Sequence, residues 1–286
     1  MYAITGITGR VGGVAGRTLL NAGLPVRAVV RDAAKGALWK DRGCEVALAE
    51  MNDATALTTA FTGVDGVFVL IPPAFDPTPG FPEVRAIITA LTTAITAARP
   101  RKIVCLSTIG AQATRLNLLS QLGLVEQALS VLPMPVCFLR AAWFMENAAW
   151  DVAPARDTGV ISSFLQPLDR PVPMVSTADV GRVIAELLQE TWTGRRIIEL
   201  EGPTRVTPNQ IAKTFAEIFT RPVQPEAVPR ETWEQLFTSQ GMKHPLPRMQ
   251  MLDGFNEGWI EFEQDETRIR KGRTALREVL NGFAAD

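Results

Sequence analysis

Gly6-Ile7-Thr8-Gly9-Arg10-Val11-Gly12 decides the fold. The stretch follows an apolar, strand-like run at residues 2–5 and opens a helical stretch at 10–22. A dinucleotide pyrophosphate needs the backbone to come close, which glycine permits, and the helix start supplies unpaired N–H groups and a positive dipole end. A glycine triplet alone is a weak signal. In a strand–turn–helix setting at the head of a long alternating array it reads as a dinucleotide-binding turn built on Gly6, Gly9 and Gly12.

Outward from that turn, apolar runs at residues 26–30, 45–48, 66–71, 102–107 and 136–140 alternate with helical stretches at 33–42, 54–61, 81–98 and 116–132. The runs are apolar throughout, as strands are when helices cover both faces of a parallel sheet. Right-handed crossovers then predict an α/β, doubly wound Rossmann sheet of order 3-2-1-4-5-6. Residues 151–170 read as loop-rich and 171–176 as a short extended piece. A helix at 179–190, capped by Thr177 or Asp179, a strand at 196–201 and a helix at 207–219 follow. The expected division is a nucleotide-binding domain over 1–150, rejoined by 177–201, and a smaller C-terminal α+β lobe from 151–176 and 202–286.

The end of the second strand reads Val30-Arg31-Asp32. An acidic residue about 20 positions past the fingerprint would bond a ribose hydroxyl; Arg31 instead offers a planar fork for a 2′-phosphate. NADP(H) is therefore favoured over NAD(H), with Asp32 as the cap of the next helix in the plainer reading. The 286 residues carry 29 Lys or Arg against 30 Asp or Glu, a net charge of −1, which argues against a nucleic-acid partner. No apolar run approaches a membrane span, and the N-terminus lacks a signal-peptide pattern, so a cytoplasmic location is expected. Cys44, Cys105 and Cys137 are odd in number and lack CxxC spacing. They read as buried free thiols, with no metal site.

Several further stretches resemble the NmrA-like branch of the atypical short-chain dehydrogenases/reductases, over most of the chain. These are the glycine turn, VVRD at 29–32, VFVLIPP at 67–73, LSTIGA at 106–111, LRAAWFMEN at 139–147 and PMVSTADVGRVIAELL at 173–188. The resemblance implies that Thr8, Gly9, Arg10 and Val11 contact the phosphates, with Arg31 at the adenosine 2′ side. It also implies that Ile71, Pro72 and Pro73 pack near the cofactor's pyrophosphate and ribose, and that Ser107 and Thr108 lie near the nicotinamide ribose. Ala142, Trp143 and Phe144 would line the nicotinamide end, with Asn147 toward the substrate cleft. All follow the ends of parallel strands, where open α/β sheets place ligands.

One departure from that family bears on mechanism. Short-chain dehydrogenases pair a catalytic Tyr with a Lys, but Tyr2 is the only tyrosine and no lysine lies between Lys102 and Lys213. The position where many NmrA-like proteins keep a lysine is matched by Leu122. No residue is assigned as catalytic. Two functions fit. The first is an NADPH-dependent reductase giving hydride to an electron-poor acceptor, such as a quinone or azo compound, that needs little general-acid help. The second is a catalytically silent NADP(H)-binding redox sensor acting through a regulatory protein partner. His244, the only histidine, lines the cleft if its loop folds over it, while Glu126 and Glu146 read as carboxylates on exposed helix faces. The run 259–263 reads as packing against the lobe or against a homodimer partner.

Overall fold

Strand residues with apolar side chains on both sides can be buried only between two helical layers, and the sheet has both. The computed structural model describes residues 1–265 and 267–284. In chain order the first half runs β1 (Tyr2–Thr5), α1 (Arg10–Asn21), β2 (Val26–Val30), α2 (Ala33–Lys40), β3 (Glu45–Leu48), α3 (Ala54–Phe61), β4 (Gly66–Val69), α4 (Pro82–Ala98), β5 (Ile103–Thr108), α5 (Ser120–Ser130) and β6 (Val136–Ala141). Then come β7 (Trp143–Phe144), a 3-10 turn (Met145–Asp151), α6 (Val152–Asp157), β8 (Val160–Ser163), β9 (Met174–Val175), α7 (Thr177–Gln189) and β10 (Arg195–Glu201). The chain ends with α8 (Pro208–Phe219), β11 (Gln224–Ala227), α9 (Trp233–Ser239), α10 (Leu246–Glu257), β12 (Arg270–Lys271) and α11 (Leu276–Ala284).

The main sheet has the order 3-2-1-4-5-6-10-12, with all its pairs parallel. The order expected from the sequence is present, extended by β10 and by β12, a two-residue strand too short and polar for periodicity to reveal. Alternate strand residues feed two cores. Ala3, Val67, Val69 and Phe138 pack with Leu57, Leu91 and Leu129 of α3, α4 and α5. Ile4, Phe68, Cys137 and Leu139 pack with Leu19 and Ile184 of α1 and α7. All three cysteines are free and buried; burial pushes the Cys137 thiol up to about 12, far from reactive thiolate character. Among the described residues no helix is long and apolar enough to cross a membrane.

Four local expectations shift. β4 stops at Val69 because the next backbone N–H, on Leu70, is captured by the Thr5 hydroxyl at 2.8 Å, and two prolines follow. The helix expected from 116 begins at Ser120, since the buried Asn117 side chain takes the Leu119 N–H at 2.8 Å and forms a turn. The helix expected from 179 begins at Thr177. Its cap is Ser176, whose hydroxyl accepts the Asp179 N–H at 3.0 Å. Residues 151–170, expected as loop, hold α6 and β8, and β8 pairs with β11 in a small sheet of its own.

Candidate functional site

The site grows from the carboxyl end of β1. Thr5 donates its hydroxyl to Phe68 O at 3.0 Å and accepts from Leu70 N, fastening β1 to β4 where both strands end. The chain then turns through Gly6 at φ +62°, a left-handed conformation costly for other residues. The Gly9 N–H closes the turn on Gly6 O at 3.0 Å. Gly12 is required for a different reason: a Cβ there would run into the Gly6 carbonyl and lie 2.9 Å from Ile7 Cα. α1 starts at Arg10 with no side-chain cap and no acidic residue in its first turn. The N–H groups of Arg10, Val11 and Gly12 therefore have no acceptor within the helix, and they share the positive dipole end. Thr8, Gly9 and Arg10 are exposed, whereas the Val11 side chain is buried in the core and only its backbone can face a ligand. Such a cradle suits a pyrophosphate.

At the end of β2 the Asp32 carboxylate accepts the Ala34 N–H at 2.8 Å and the Lys35 N–H at 3.4 Å, capping α2. That carboxylate is occupied by its own helix. Arg31, beside it, is exposed. The pair thus presents a free cation and an engaged anion, a combination suited to a phosphate ester.

Across the sheet edge, Ile71, Pro72 and Pro73 form a partly exposed rim after β4. Ser107 and Thr108 end β5 with side chains on opposite faces, and the Ser107 hydroxyl turns inward, donating to Glu126 at 2.5 Å. Glu126 is a correction to the expectation of an exposed carboxylate. It is buried on α5 and holds Arg140 of β6 through two bonds of 2.9 and 2.8 Å. Arg140 also pairs with Glu263 and stands 3.7 Å from Glu199. Burial alone would pull its pKa down, but bonds and charge from Glu126 and Glu263 carry the guanidinium well above its ordinary value. Glu199 in turn accepts the Glu263 and Gln264 N–H groups at 2.9 and 3.0 Å. The segment expected only to pack against a lobe or partner is thus bolted onto the sheet edge, and its Ile260 fits against Gly110, just past β5.

Beyond β6, Ala142 is buried while Trp143 and Phe144 are half-buried. Trp143 meets Phe255 of α10 edge to face, with ring centroids 5.2 Å apart. α10 lies across the ends of several strands. The amides of Lys243 and His244, just before it, bond Asp76 in the loop after β4, at 2.9 and 2.7 Å. Those amides, Lys243 first, hold the Asp76 carboxyl below its ordinary value. Pro247 O accepts the Leu118 N–H at 2.8 Å. The His244 backbone is thus anchored beside the loop that follows β4, and its side chain is half-buried. Asn147 is exposed on the 3-10 turn. Glu146, also expected to be exposed, is half-buried: one oxygen takes the Thr177 N–H and hydroxyl, and the other is buried without a partner.

The roles of Arg140, Phe255, Glu263 and Phe283 escaped sequence reading, and that of Glu126 was misread. Each acts through a partner on a distant element, such as Arg140 with Glu263, and no local spacing encodes that. Phe283 of α11 lies under the Arg10 guanidinium, 5.1 Å from Cζ to ring centroid, so the last helix touches the first turn.

A profile of the NmrA-like family matches residues 2–268. The chain is 28% identical over 259 residues to the NAD(P)H azoreductase of Xenophilus azovorans, covering 90% of this chain and 85% of that protein. Among solved structures, the NADPH-dependent quinone oxidoreductase of Escherichia coli complexed with NADPH superposes with a TM-score of 0.81 at 22% identity, over 99% of this chain and 100% of the other. The Citrobacter sp. triphenylmethane reductase complexed with NADP(H) gives 0.81 at 21% identity, over 99% of both chains. These last two likenesses establish the fold; the family follows from the profile. The chain belongs to the NmrA-like family.

Proposed function

We propose that the protein is an NADPH-dependent reductase that transfers hydride to an electron-poor aromatic acceptor, such as a quinone or an azo compound. One juxtaposition carries this reading. A single sheet edge brings the uncapped start of α1 together with an aromatic wall, Trp143 against Phe255. The relatives named for azo, quinone and triphenylmethane reduction support the same acceptor class.

A reduced nicotinamide bound at this edge supplies the hydride. The chain's own residues bind and orient. The amides of Arg10, Val11 and Gly12 take the pyrophosphate charge, and Arg31 takes the 2′-phosphate, unopposed because Asp32 is spent on its cap. Trp143, half-buried and braced edge-on by the buried Phe255 ring, offers an apolar surface for one side of an aromatic acceptor. Neither Tyr2 nor Lys102 stands where it could act as a Tyr–Lys pair at this edge. Tyr2 starts β1, at the opposite edge of the sheet, where burial and then Asp65 raise its pKa. Lys102, just before β5, donates to Glu190 O at that same far edge. The acceptor must therefore delocalise its own anion and take its proton from water.

The test is NADPH oxidation with naphthoquinones, azo compounds and triarylmethane cations, with NADH in parallel. Turnover with NADPH preferred is expected. Tight NADPH binding with no turnover on any acceptor would overturn the proposal.

A further inference from the structure

α10 carries one charged side chain with no counter-ion among the described residues. Arg248 is half-buried and has no hydrogen bond or carboxylate partner among the described residues. Its guanidinium lies over the fully buried Phe237 ring, 4.4 Å from Cζ to centroid. Stacking of this kind occupies the face of the guanidinium and leaves the N–H groups in its plane free to donate. Both acids on the same helix are engaged elsewhere. Asp253 accepts two bonds from Arg230, at 2.6 and 2.7 Å, and Glu257 accepts from Arg115 at 3.2 Å and from Trp259 Nε1 at 2.9 Å. Burial, with no anion to offset it, pulls the Arg248 pKa down. A desolvated cation without a counter-ion is a standing cost that folding alone has no reason to keep.

Its position on α10 gives that cation a use. Arg248 precedes Phe255 by seven residues, so the two share a helix face about 10 Å apart along the axis. Phe255 is the ring that meets Trp143 at the end of β6. The residue before Arg248, Pro247, is bonded to Leu118, ahead of α5. Arg248 thus stands near the start of α10, at the other end of the helix from the ring that meets the end of β6.

We propose that Arg248 is a specificity residue that binds an oxyanion substituent (sulfonate, carboxylate or phosphate) on the aromatic acceptor, roughly two fused rings away from the reacting end. The inference rests on the reductase reading for its substrate, but the anion site itself can be tested without turnover. An acidic quinone or azo compound would be preferred over a neutral one of similar reactivity, and a cationic dye would be disfavoured.

Two measurements on the full chain separate the outcomes. In the first, kcat/KM is determined for a sulfonated and an unsubstituted naphthoquinone in the wild type, R248M and R248K. Comparing each variant with the wild type cancels the intrinsic reactivity of the acceptors. The sulfonated-to-neutral ratio should fall roughly ten- to hundred-fold in R248M, chiefly through KM, and be partly restored in R248K, which keeps charge without the fork. In the second, naphthalene-2-sulfonate binding is followed by calorimetry, with thermal unfolding reporting that each variant is folded. The wild type should bind and R248M should lose at least tenfold in affinity. An unchanged acceptor ratio, or sulfonate binding equal in wild type and R248M, would overturn the anion site. Absence of turnover on any acceptor with sulfonate binding still dependent on Arg248 would overturn the reductase reading alone.

Discussion

Replacing Arg140 by methionine should be among the most destabilising single changes at the sheet edge, and the reason lies in burial. The Arg140 side chain is 4% exposed, Glu126 11% and Glu199 0%, whereas Glu263 is 50% exposed. R140M keeps the aliphatic stem but leaves Glu126 and Glu199 buried without their cation, for a cost of about 3–5 kcal/mol. E126Q keeps shape and leaves Arg140 its other two carboxylates, so about 2 kcal/mol is expected. E263Q acts at the solvated end and should cost roughly 0–1 kcal/mol. The same guanidinium thus predicts a graded series, R140M above E126Q above E263Q. Urea unfolding at constant m-value measures it, and R140M should lower Tm by roughly 10 °C. Equal costs for E126Q and E263Q, or a cost below about 1 kcal/mol for R140M, would refute the reasoning.

G12A should abolish NADPH binding measured by fluorescence, because the added methyl meets the Gly6 carbonyl, which is backbone and cannot yield; retained affinity would show that the turn is not the cradle described. R31A should lower the NADPH-to-NADH affinity ratio by roughly tenfold or more, the worth of a charge-assisted phosphate contact; an unchanged ratio would remove Arg31 from that role. Burial pushes the Asp151 carboxyl up to about 6, above its ordinary 3.8. The folded state then holds the proton more tightly than the unfolded chain, so stability should decline as pH rises from roughly 4 to 6. D151N should flatten that part of the curve, and an identical pH profile in the variant would refute the assignment.

The parallel sheet was legible because its information is local. Each of the first six strands is a short apolar run bounded by turn residues, and the ranges of β1, β2, β3 and α3 coincide with the expected ones. Where boundaries moved, a side chain distant in sequence or folded back on its own turn had taken a backbone group, as Thr5 did with Leu70 and Asn117 with Leu119. The glycine turn was legible for the same local reason. Glu126 was not, since a lone glutamate amid apolar residues reads the same whether it faces water or an arginine 14 positions away on the following strand.

By itself the sequence determined the layered architecture, the glycine-rich turn after β1 and the absence of a Tyr–Lys pair, all of which depend on residue type and near-neighbour spacing. Only the tertiary structure decided what stands over that edge. Phe255 of α10 meets Trp143, the 259–264 segment is anchored on Arg140 and Glu199, and Arg248 has no counter-ion among the described residues. Such contacts join residues tens to more than a hundred positions apart, and their strength depends on exclusion from water, which exists only once the chain has closed around them.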